Sequence, residues 1–496
     1  MLAAVLATLV AASVVALPNQ GAPAEAAGND VIAIVIEGTG NGHGRGMSQW
    51  GAYGWAVDHG WSWDQILDWY YGGTAMGDAD VNSRMTVRLL GLDNSPSVGV
   101  VSYSGGVIWN GQASPYVSMR AEWNGASFNL YGSAAATCAA ETLLGQVGGV
   151  SFTTATGEVS NSSAPAAIGV CEPNGSVTHY RGSIDVTNPA GVRVVNNLRT
   201  EDYLRGVVPR EVAASWADAG GGAGANAVRA QAVAARSYSL AQNRYPYAKT
   251  CDTTACQAYD GAATRTSVDA QPLLLEDNRS NQAVVATAGK IRVAGGGIVS
   301  TEFSASNGPR TAGGSFPVRD DAGGDGTALN PNHRWTRILD ADTLAATYGL
   351  GSITSAQMVE AADPQYRIYD GIWYNDLVLT GSNGNTFRQQ AWDFRGANGL
   401  PSPGFTVRVV TRNSTNATMA FIGDSVGVGV AGTDTAPLRT LTDGTFASAS
   451  FDSLVNRRTS VATSVSSGVQ VAASVPLNLD LAVVELGYND VPSGFA

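Results

Sequence analysis

Short runs in which apolar and polar residues alternate fill much of the chain. They occur from Met85 to Leu130, separated by Gly, Asn and Ser-Pro, and from Tyr180 to Leu198 as two runs joined through Asn188–Gly191. A period of two is typical of strands with one buried face. We therefore predict a mostly antiparallel sheet, with further strands at Asn332–Ile338 and Leu377–Phe394. Residues 134–169, rich in small residues, are expected to be loosely ordered.

Helical patterns are fewer. They predict helices at Met47–His59, Ser62–Tyr71, Ala225–Arg244 and Asn281–Lys290. Ala225–Arg244 is the strongest of them, because it is rich in Ala, Gln and Arg and has no internal Gly or Pro. Together these patterns predict an α+β fold, with a mixed, mostly antiparallel β core and packed helices.

The stretch from Glu201 to Tyr238 combines two of these features. Gly206–Val208 is short and β-branched, and Pro209 follows it directly. Proline cannot continue a β ladder, so we predict a strand that ends there and leaves Arg210 and Glu211 at an exposed strand end. The long helix would then pack behind this turn.

Three separated motifs carry a resemblance to a known family. They are EDYLRGVVPREV with AVRAQAVAARSY between 201 and 238, GHGRGMSQWGAYG at 42–54, and FSASNG at 303–308. Together they resemble the stage II sporulation protein D family (SpoIID/LytB domain), whose members act on bacterial peptidoglycan. The resemblance implies a lytic transglycosylase for glycan strands without stem peptides, and it assigns the catalytic role to Glu211.

A carboxylic acid with a raised pKa can protonate a glycosidic oxygen near neutral pH. Hydrolases normally use a second carboxylate, whereas a lytic transglycosylase can work with one. The structural alternative is that Glu211 caps a helix or forms a salt bridge near Arg210 or Arg236. Glu201 and Asp202 are alternative acids, although their position before a strand looks structural.

The remaining site candidates surround this acid in the expected fold. Gln231 and Arg236 lie on the helix behind the turn, where they could orient the carboxylate, bind substrate or simply pack. The candidates for the substrate groove are His43 and Gln49. A polar cluster suits hydrogen bonding to sugar hydroxyl or acetamido groups, or an ordinary turn, and comprises Ser304, Ser306 and Asn307. Trp335, Trp373 and Trp392 are core or glycan-stacking candidates.

The GHGRGMSQWG block usually lies near the C-terminus of the resembled family's domain, but here it comes first. We favour a circular permutation, in which the block folds back onto the later core, over a detached copy. The predicted segments are a signal peptide (1–27), the block (28–75), a β-rich insertion or subdomain (76–175), the catalytic core (176–410), a linker (411–418) and a last module (419–496).

Composition and charge exclude some functions. The formal net charge is -12, and Lys249 and Lys290 are the only lysines, which argues against a nucleic-acid partner. The glycines from Gly38 to Gly46 do not satisfy the dinucleotide-binding pattern G-x-G-x-x-G. Leu2–Leu17 and the following Ala24–Ala26 resemble a secretory signal, and the apolar run is too short for a membrane anchor. We therefore expect a protein secreted to the cell wall, without a stable membrane span.

Four cysteines suit an oxidising compartment. The simplest pairing joins Cys138 to Cys171 and Cys251 to Cys256, although three connectivities are possible. Because some members of the resembled family bind zinc near this point, Cys251 and Cys256 could instead be metal ligands. No histidine stands at ligand spacing from them, so the disulfide is favoured, and no metal or cofactor is predicted.

The last module has a different character. FIGDSV and GYND follow buried strands, and they resemble two blocks of the SGNH (GDS-type) hydrolase family. The resemblance implies a partial α/β, flavodoxin-like segment with Ser425 as nucleophile and Asn489 as oxyanion donor. The family's second block and its Asp-x-x-His are not evident, since no histidine follows His333.

Three functions therefore compete. The first is a secreted lytic transglycosylase that cleaves peptide-free glycan strands. The second is a non-catalytic amidase enhancer or glycan-binding protein, with a cell-wall amidase as partner. The third is an SGNH-type esterase acting on O-acetylated cell wall.

Overall fold

A computed structural model describes residues 31–157 and 163–411, and the backbone of three strands further on. Its helices are α1 (Gln49–Val57), α2 (Trp63–Tyr70), α3 (Thr200–Glu211), α4 (Ala225–Ala241), α5 (Asn278–Ala286), α6 (Ala322–Asp325), α7 (Ala341–Tyr348) and α8 (Ala391–Asn398). The predicted helices at 47–59, 62–71 and 225–244 are confirmed as α1, α2 and α4, and the one at 281–290 is confirmed in part as α5. The strand prediction for Leu377–Phe394 is wrong at its end, because α8 begins at Ala391, and α3, α6 and α7 were not predicted as helices.

Two large sheets form the principal β core. Their strands are β4 (Arg84–Arg88), β5 (Ser97–Val101), β6 (Ile108–Trp109), β7 (Gln112–Ala113), β8 (Ser118–Trp123), β9 (Phe128–Ser133), β10 (Thr142–Val147), β11 (Val150–Thr153), β12 (Ile168–Cys171), β13 (Val177–Tyr180), β14 (Ser183–Thr187), β15 (Arg193–Arg199), β16 (Thr250–Cys251), β17 (Ala263–Arg265) and β18 (Leu273–Leu274). The strand orders are β10-β9-β8-β5-β12-β13-β17-β18 and β16-β4-β15-β14-β11-β6-β7. All pairs are antiparallel except β16 with β4. The predicted mostly antiparallel core is confirmed.

Both large sheets contain strands from the predicted segments 76–175 and 176–410. For example, β12 pairs with β5 on one side and β13 on the other. The two segments therefore share one hydrophobic core, which also contains the apolar side chains of α3. The expectation of a loosely ordered region at 134–169 is wrong for its described part, because β10, β11 and the start of β12 belong to these sheets.

Smaller sheets carry the first strands of the chain and the later segments. They contain β1 (Val31–Gly38), β2 (Met47–Ser48), β3 (Ala75–Asp78), β19 (Lys290–Ala294), β20 (Gly297–Ile298), β21 (Phe303–Ser304), β22 (Trp335–Asp340), β23 (Ile353–Val359), β24 (Asp376–Gly381), β25 (Thr386–Gln390) and β26 (Phe405–Thr411). β1 is the central strand between β22 and β26, so the start of the described chain is held by two strands that come about 300 or more residues later. A second hydrophobic core lies under this sheet.

The GHGRGMSQWG block is attached to the later chain by several contacts. β2 pairs with β21, and β3 pairs with β19. The fully buried Arg292 donates hydrogen bonds to Asp68 and Thr74. These contacts place α1 and α2 against α4.

Helix α4 lies between two hydrophobic clusters. Its Val228, Ala232 and Ala235 belong to the principal core, whereas a separate set packs with α1 and α2 and comprises Ala227, Ala230, Val233 and Ala234. Alanine favours the helix and also lets neighbouring helices approach closely, because its side chain is short. Residues of both hydrophobic clusters can therefore pack closely against α4.

Three parallel strands lie beyond residue 411: β27 (Thr418–Gly423), β28 (Ser448–Ser453) and β29 (Leu481–Glu485), in the order β28-β27-β29. The predicted buried strands at both ends of this module are confirmed as strands. Ser425 and Asn489 lie outside the described residues, as does the predicted signal peptide.

Both predicted disulfides are present, Cys138–Cys171 and Cys251–Cys256. In the described segments, no group of three or more His, Cys, Asp or Glu side chains could hold a metal ion. Among the described helices, none is long and apolar enough to cross a membrane.

The two disulfides should differ in their contribution to stability. Cys138–Cys171 spans 33 residues and Cys251–Cys256 spans 5. Loop-closure entropy predicts losses in unfolding free energy of about 4 kcal/mol and about 2 kcal/mol when each pair is replaced by alanine. Denaturant titration of the two double variants measures this difference. An equal loss, or a larger loss for the short loop, would contradict the entropic account.

Candidate active site

Glu211 is the last residue of α3, not the residue after a strand. The predicted strand at Gly206–Val208 is wrong, because Val207 and Val208 are fully buried in the principal core as part of a helix. Tertiary burial here outweighs the β propensity of valine. Pro209 lies in the last turn, where only one intrahelical hydrogen bond is lost, and the helix ends two residues later.

The carboxylate of Glu211 is partly buried, and no cationic side chain among the described residues forms an ion pair with it. Its Oε2 accepts a hydrogen bond of 3.2 Å from Nε2 of Gln49, and the backbone amide of Ala258 also contributes a hydrogen bond. Burial raises the pKa of Glu211, and these two hydrogen bonds partly oppose the increase. A protonated carboxyl group is therefore favoured over a larger pH range than for an exposed glutamate.

The salt-bridge alternative for Glu211 does not match these contacts. Arg210 forms an exposed ion pair with Asp260. Arg236 is fully buried and forms a two-pronged ion pair with Glu201, at 2.8 and 2.7 Å. Both arginines thus have other carboxylate partners, and Glu201 is a structural residue rather than an alternative acid.

Arg236 also donates to the backbone carbonyl of Lys290, so it connects α4, α3 and β19. Of the three roles considered for Arg236, structural packing matches these contacts, because its guanidinium bonds to Glu201 and to a backbone carbonyl.

Gln231 differs from Arg236 in its hydrogen bonding. It is fully buried on α4 between the two hydrophobic clusters, and neither its amide oxygen nor its amide nitrogen has a hydrogen-bond partner among the described residues.

An aromatic cluster lies next to Gln49. The ring centroids of Trp50 and Trp216 are 4.7 Å apart, and those of Tyr53 and Trp216 are 5.0 Å apart. Both tryptophans are partly exposed. Sequence reasoning missed both as site residues. Trp50 stands inside the quoted motif and could have been selected, but Trp216 has no local sequence signal.

Gln49 is held in place by the residue before it. Ser48 is the N-cap of α1 and accepts a hydrogen bond from the amide of Gly51. The Ser48 hydroxyl donates to Asp325 at 2.6 Å, and Asp325 is completely buried. Since Gln49 is the first residue of α1, these bonds fix the point from which its side chain reaches Glu211.

Ser304, Ser306 and Asn307 do not form an open sugar-binding cluster. They are 7%, 0% and 0% exposed, and their side chains bond to protein groups. Ser306 donates to Asp325, Ser304 donates to Asn307, and Asn307 donates to the carbonyl of Gly46. The expectation of sugar-binding groups is wrong because the FSASNG segment packs under the glycine-rich loop, where its polar side chains bond to other protein groups.

His43 makes a different set of hydrogen bonds from Gln49. Its Nδ1 accepts a hydrogen bond from the amide of Arg45, and the ring also bonds to the backbone of Phe303. Burial, and secondly the positive charge of Arg45, lower the pKa of His43 to about 4. The imidazole is therefore neutral near pH 7. Of the two predicted groove residues, Gln49 is the one with a described hydrogen bond to Glu211.

The tryptophan candidates divide by burial. Trp335 and Trp373 are 8% and 3% exposed and contribute to cores, whereas Trp392 is 36% exposed. Trp392 lies at the start of α8, where its ring stacks with Tyr374.

Comparison with known proteins identifies the central part of the chain. The profile of the SpoIID family, described as Stage II sporulation protein, matches residues 188–293. This segment contains α3, Glu211 and α4. Its match ends at residue 293, and the SGNH-like resemblance of the last module finds no support.

Two relatives were found. An amidase enhancer of Bacillus subtilis is 33% identical over 108 residues, which are 22% of this chain and 12% of that protein. An uncharacterized protein of Brachyspira hyodysenteriae is 35% identical over 124 residues, 24% of this chain and 28% of that protein. The matches thus span less than a third of either relative. No solved structure matches the chain. The chain contains a SpoIID-family domain, and Glu211 lies within it.

Proposed function

We propose that this protein is a secreted lytic transglycosylase that cleaves peptide-free peptidoglycan strands, with Glu211 as its catalytic acid and base. The SpoIID-family domain and the relative named amidase enhancer support a role at the bacterial cell wall. The two disulfides support an oxidising compartment. The observation that carries the catalytic assignment is the partly buried Glu211 carboxyl, held by a neutral amide instead of a cation.

A carboxyl group in this environment suits proton donation. In the proposed first step, protonated Glu211 gives its proton to the glycosidic oxygen as the bond from that oxygen to the anomeric carbon breaks. The 6-hydroxyl of the same muramic acid residue then attacks the anomeric carbon. Glu211, now a carboxylate, accepts the proton of that hydroxyl. The product is a 1,6-anhydromuramyl end, and no water is consumed.

The described contacts of Glu211 suit a mechanism with one carboxyl group. Its hydrogen bonds come from the Gln49 amide and the Ala258 backbone, not from a second carboxyl group among the described residues. Hydrolytic glycosidases place two carboxyl groups within about 5–9.5 Å of each other. A single group that changes from acid to base is sufficient when the nucleophile belongs to the substrate.

The aromatic cluster that begins at the residue after Gln49 supports saccharide binding. Partly exposed Trp50 and Trp216 offer aromatic faces, on which sugar rings stack through their C–H faces. The Gln49 amide donates a hydrogen bond to Oε2 of the Glu211 carboxyl group. In this proposal Gln49 is a positioning residue, whereas Trp50 and Trp216 contact substrate.

Glu211→Gln should abolish cleavage. The variant keeps the size and hydrogen bonding of the side chain but cannot transfer a proton, so we expect a loss of at least about a hundredfold in rate. The measurement is mass spectrometry of anhydromuramyl products released from denuded glycan strands. Glu37→Gln, at an exposed position on β1, is the matched control and should keep wild-type activity.

Two outcomes would refute the assignment. One is undiminished product from Glu211→Gln. The other is no anhydromuramyl product from the wild-type protein together with stimulation of an added cell-wall amidase, which would indicate an enhancer.

The pH dependence of cleavage should respond to Gln49. The acid step requires protonated Glu211, so kcat/KM should fall as the pH rises through its raised pKa. The hydrogen bond from Gln49 lowers this pKa, and Gln49→Leu should therefore move the falling limb to higher pH. A pH–rate profile of both proteins tests the direction. A shift to lower pH would show that Gln49 does not stabilise the carboxylate.

The buried acid should also reduce stability. Well below the usual pKa of 4.5, Glu211 is protonated in both folded and unfolded chains. Above that pH the unfolded chain loses the proton first, so stability decreases as the pH rises towards the folded-state pKa. Glu211→Gln removes this penalty and should be more stable than wild type at pH 7 but equal to it below pH 4.5. Thermal unfolding at both pH values is the measurement, and a less stable variant at pH 7 would contradict the account.

A further inference from the structure

The 257–261 segment runs along one face of α3. The hydroxyl of Tyr203 donates a hydrogen bond of 2.9 Å to Oε1 of Gln257. Seven residues further along the helix, Arg210 forms an ion pair with Asp260. Residues seven apart lie on the same face of a helix, because almost two full turns separate them. The segment therefore follows α3 into its last turn, which carries the candidate acid.

The segment approaches the helix most closely at Gly206. A Cβ atom at this position would lie 2.6 Å from the ring of Tyr259 and 2.8 Å from the carbonyl oxygen of Gly261. A side chain could not be accommodated here without moving the segment, so the approach depends on glycine. Tyr259 is 3% exposed, and its hydroxyl donates to Asn196 at 2.8 Å. The segment is thus in direct contact with α3 on one side and with the sheet strand β15 on the other.

Ala258 connects the segment to the candidate acid. Its backbone amide donates a hydrogen bond to the Glu211 carboxyl group. Ala258 is partly exposed, whereas its neighbours Gln257 and Tyr259 are buried. An amide N–H lies in the plane of its peptide bond, so the backbone on both sides sets its direction. The hydrogen bond to the carboxyl group therefore requires this backbone to be held in place.

The second disulfide ties this backbone to one of the large sheets. Cys251 belongs to β16, which pairs with β4, and Cys256 directly precedes the segment. The amide of Cys256 donates to the carbonyl of Thr253 at 2.9 Å, and the amide of Tyr259 donates to the carbonyl of Asp252 at 3.1 Å. Both acceptors lie within the loop that the disulfide closes. The disulfide thus restricts the residues to which the segment's backbone is bonded.

The other groups that face Glu211 come from elements outside this loop. Gln49 belongs to α1, and Tyr203, whose hydroxyl is affected by the charge of Glu211, belongs to α3. The ion pair of Arg210 has no net charge. The Ala258 amide is therefore the described contact through which the disulfide loop can act on the carboxyl group.

We propose that the Cys251–Cys256 disulfide positions the Glu211 carboxyl group through the backbone amide of Ala258. The disulfide acts by fixing the amide and does not contact substrate. Without it, the loop samples more conformations, and the amide is less often within reach of the carboxyl group. The effect on cleavage rests on the proposed function, whereas the effect on the ionisation of Glu211 does not.

An NMR titration of the full chain, labelled with 13C-glutamate, tests the inference. Cys251→Ala/Cys256→Ala should raise the pKa of Glu211 above its wild-type value, because the carboxylate loses a hydrogen bond that stabilises it. Cys138→Ala/Cys171→Ala is the matched control, since it removes a disulfide that closes a longer loop. The control should be destabilised at least as much but keep the wild-type pKa of Glu211. This contrast separates positioning from a general loss of stability.

Gly206→Ala provides a second test in which both disulfides remain. The added methyl group displaces the 257–261 segment from α3, so the pKa of Glu211 should rise as in the disulfide variant. Gly396→Ala, on α8, is the control, because a Cβ atom there meets no other atom within 4 Å. It should leave the pKa unchanged. If the disulfide variant does not fold, this pair decides whether the segment positions the carboxyl group.

Cleavage of denuded glycan strands gives an independent readout. In Cys251→Ala/Cys256→Ala, the low-pH plateau of kcat should fall about tenfold, because a carboxyl group without fixed geometry transfers its proton less efficiently. KM should not change, and the falling limb of the pH–rate profile should move to higher pH. Thermal unfolding verifies that each variant is folded.

The inference is wrong if Glu211 keeps its wild-type pKa in the folded disulfide variant or in Gly206→Ala. It is also wrong if Cys138→Ala/Cys171→Ala raises this pKa by the same amount. If the pKa changes as expected but the wild-type protein releases no anhydromuramyl product, the positioning is supported and the proposed function fails.

Discussion

The hydrogen bond from Ser48 to Asp325 is the contact on which the candidate active site depends. It joins residues 277 positions apart, and it attaches the N-cap of α1 to a carboxylate with no solvent exposure. The oxygens of Asp325 also accept hydrogen bonds from the hydroxyl of Ser306, the amide of Asn307 and the side chain of Asn330. A buried carboxylate is tolerated only when its oxygens are satisfied in this way. The network therefore fixes the start of α1, and α1 in turn presents Gln49 to Glu211.

The candidate site combines residues from an early and a later part of the chain. Glu211 belongs to α3, but Gln49 and Trp50 come from a block about 160 residues earlier. The block is fixed by strand pairing at β2–β21 and β3–β19, and by apolar packing on α4. Each of these contacts is distant in sequence, so the site exists only in the complete fold. Burial opposes the ionisation of the Glu211 carboxyl group. A glutamate with a purely structural role does not need such a raised pKa.

Much of the fold could be predicted from local sequence patterns, whereas the candidate site could be predicted from them only in part. The helix at 225–241 and the hairpin at 183–199 were predicted, because alanine content and strict alternation are local signals. The end of α3 was mistaken for a strand, since Val207, Val208 and Pro209 favour that reading until their burial against other elements is known. Ser306 and Asn307 looked like ligand groups because sequence does not reveal that Asp325 lies beside them. Trp216 could not be found from sequence, because its position beside Trp50 and Tyr53 depends on the packing of elements that are distant in the chain.

The ionisation state of Glu211 is the central physical claim, and a direct titration tests it. Carboxyl carbons of the protein labelled with 13C-glutamate can be followed by NMR as the pH is raised, and the signal missing in Glu211→Gln identifies this residue. The account predicts that the Glu211 signal titrates above the usual glutamate value of 4.5 and moves higher still in Gln49→Leu. Titration of the Glu211 signal at or below that value would contradict it.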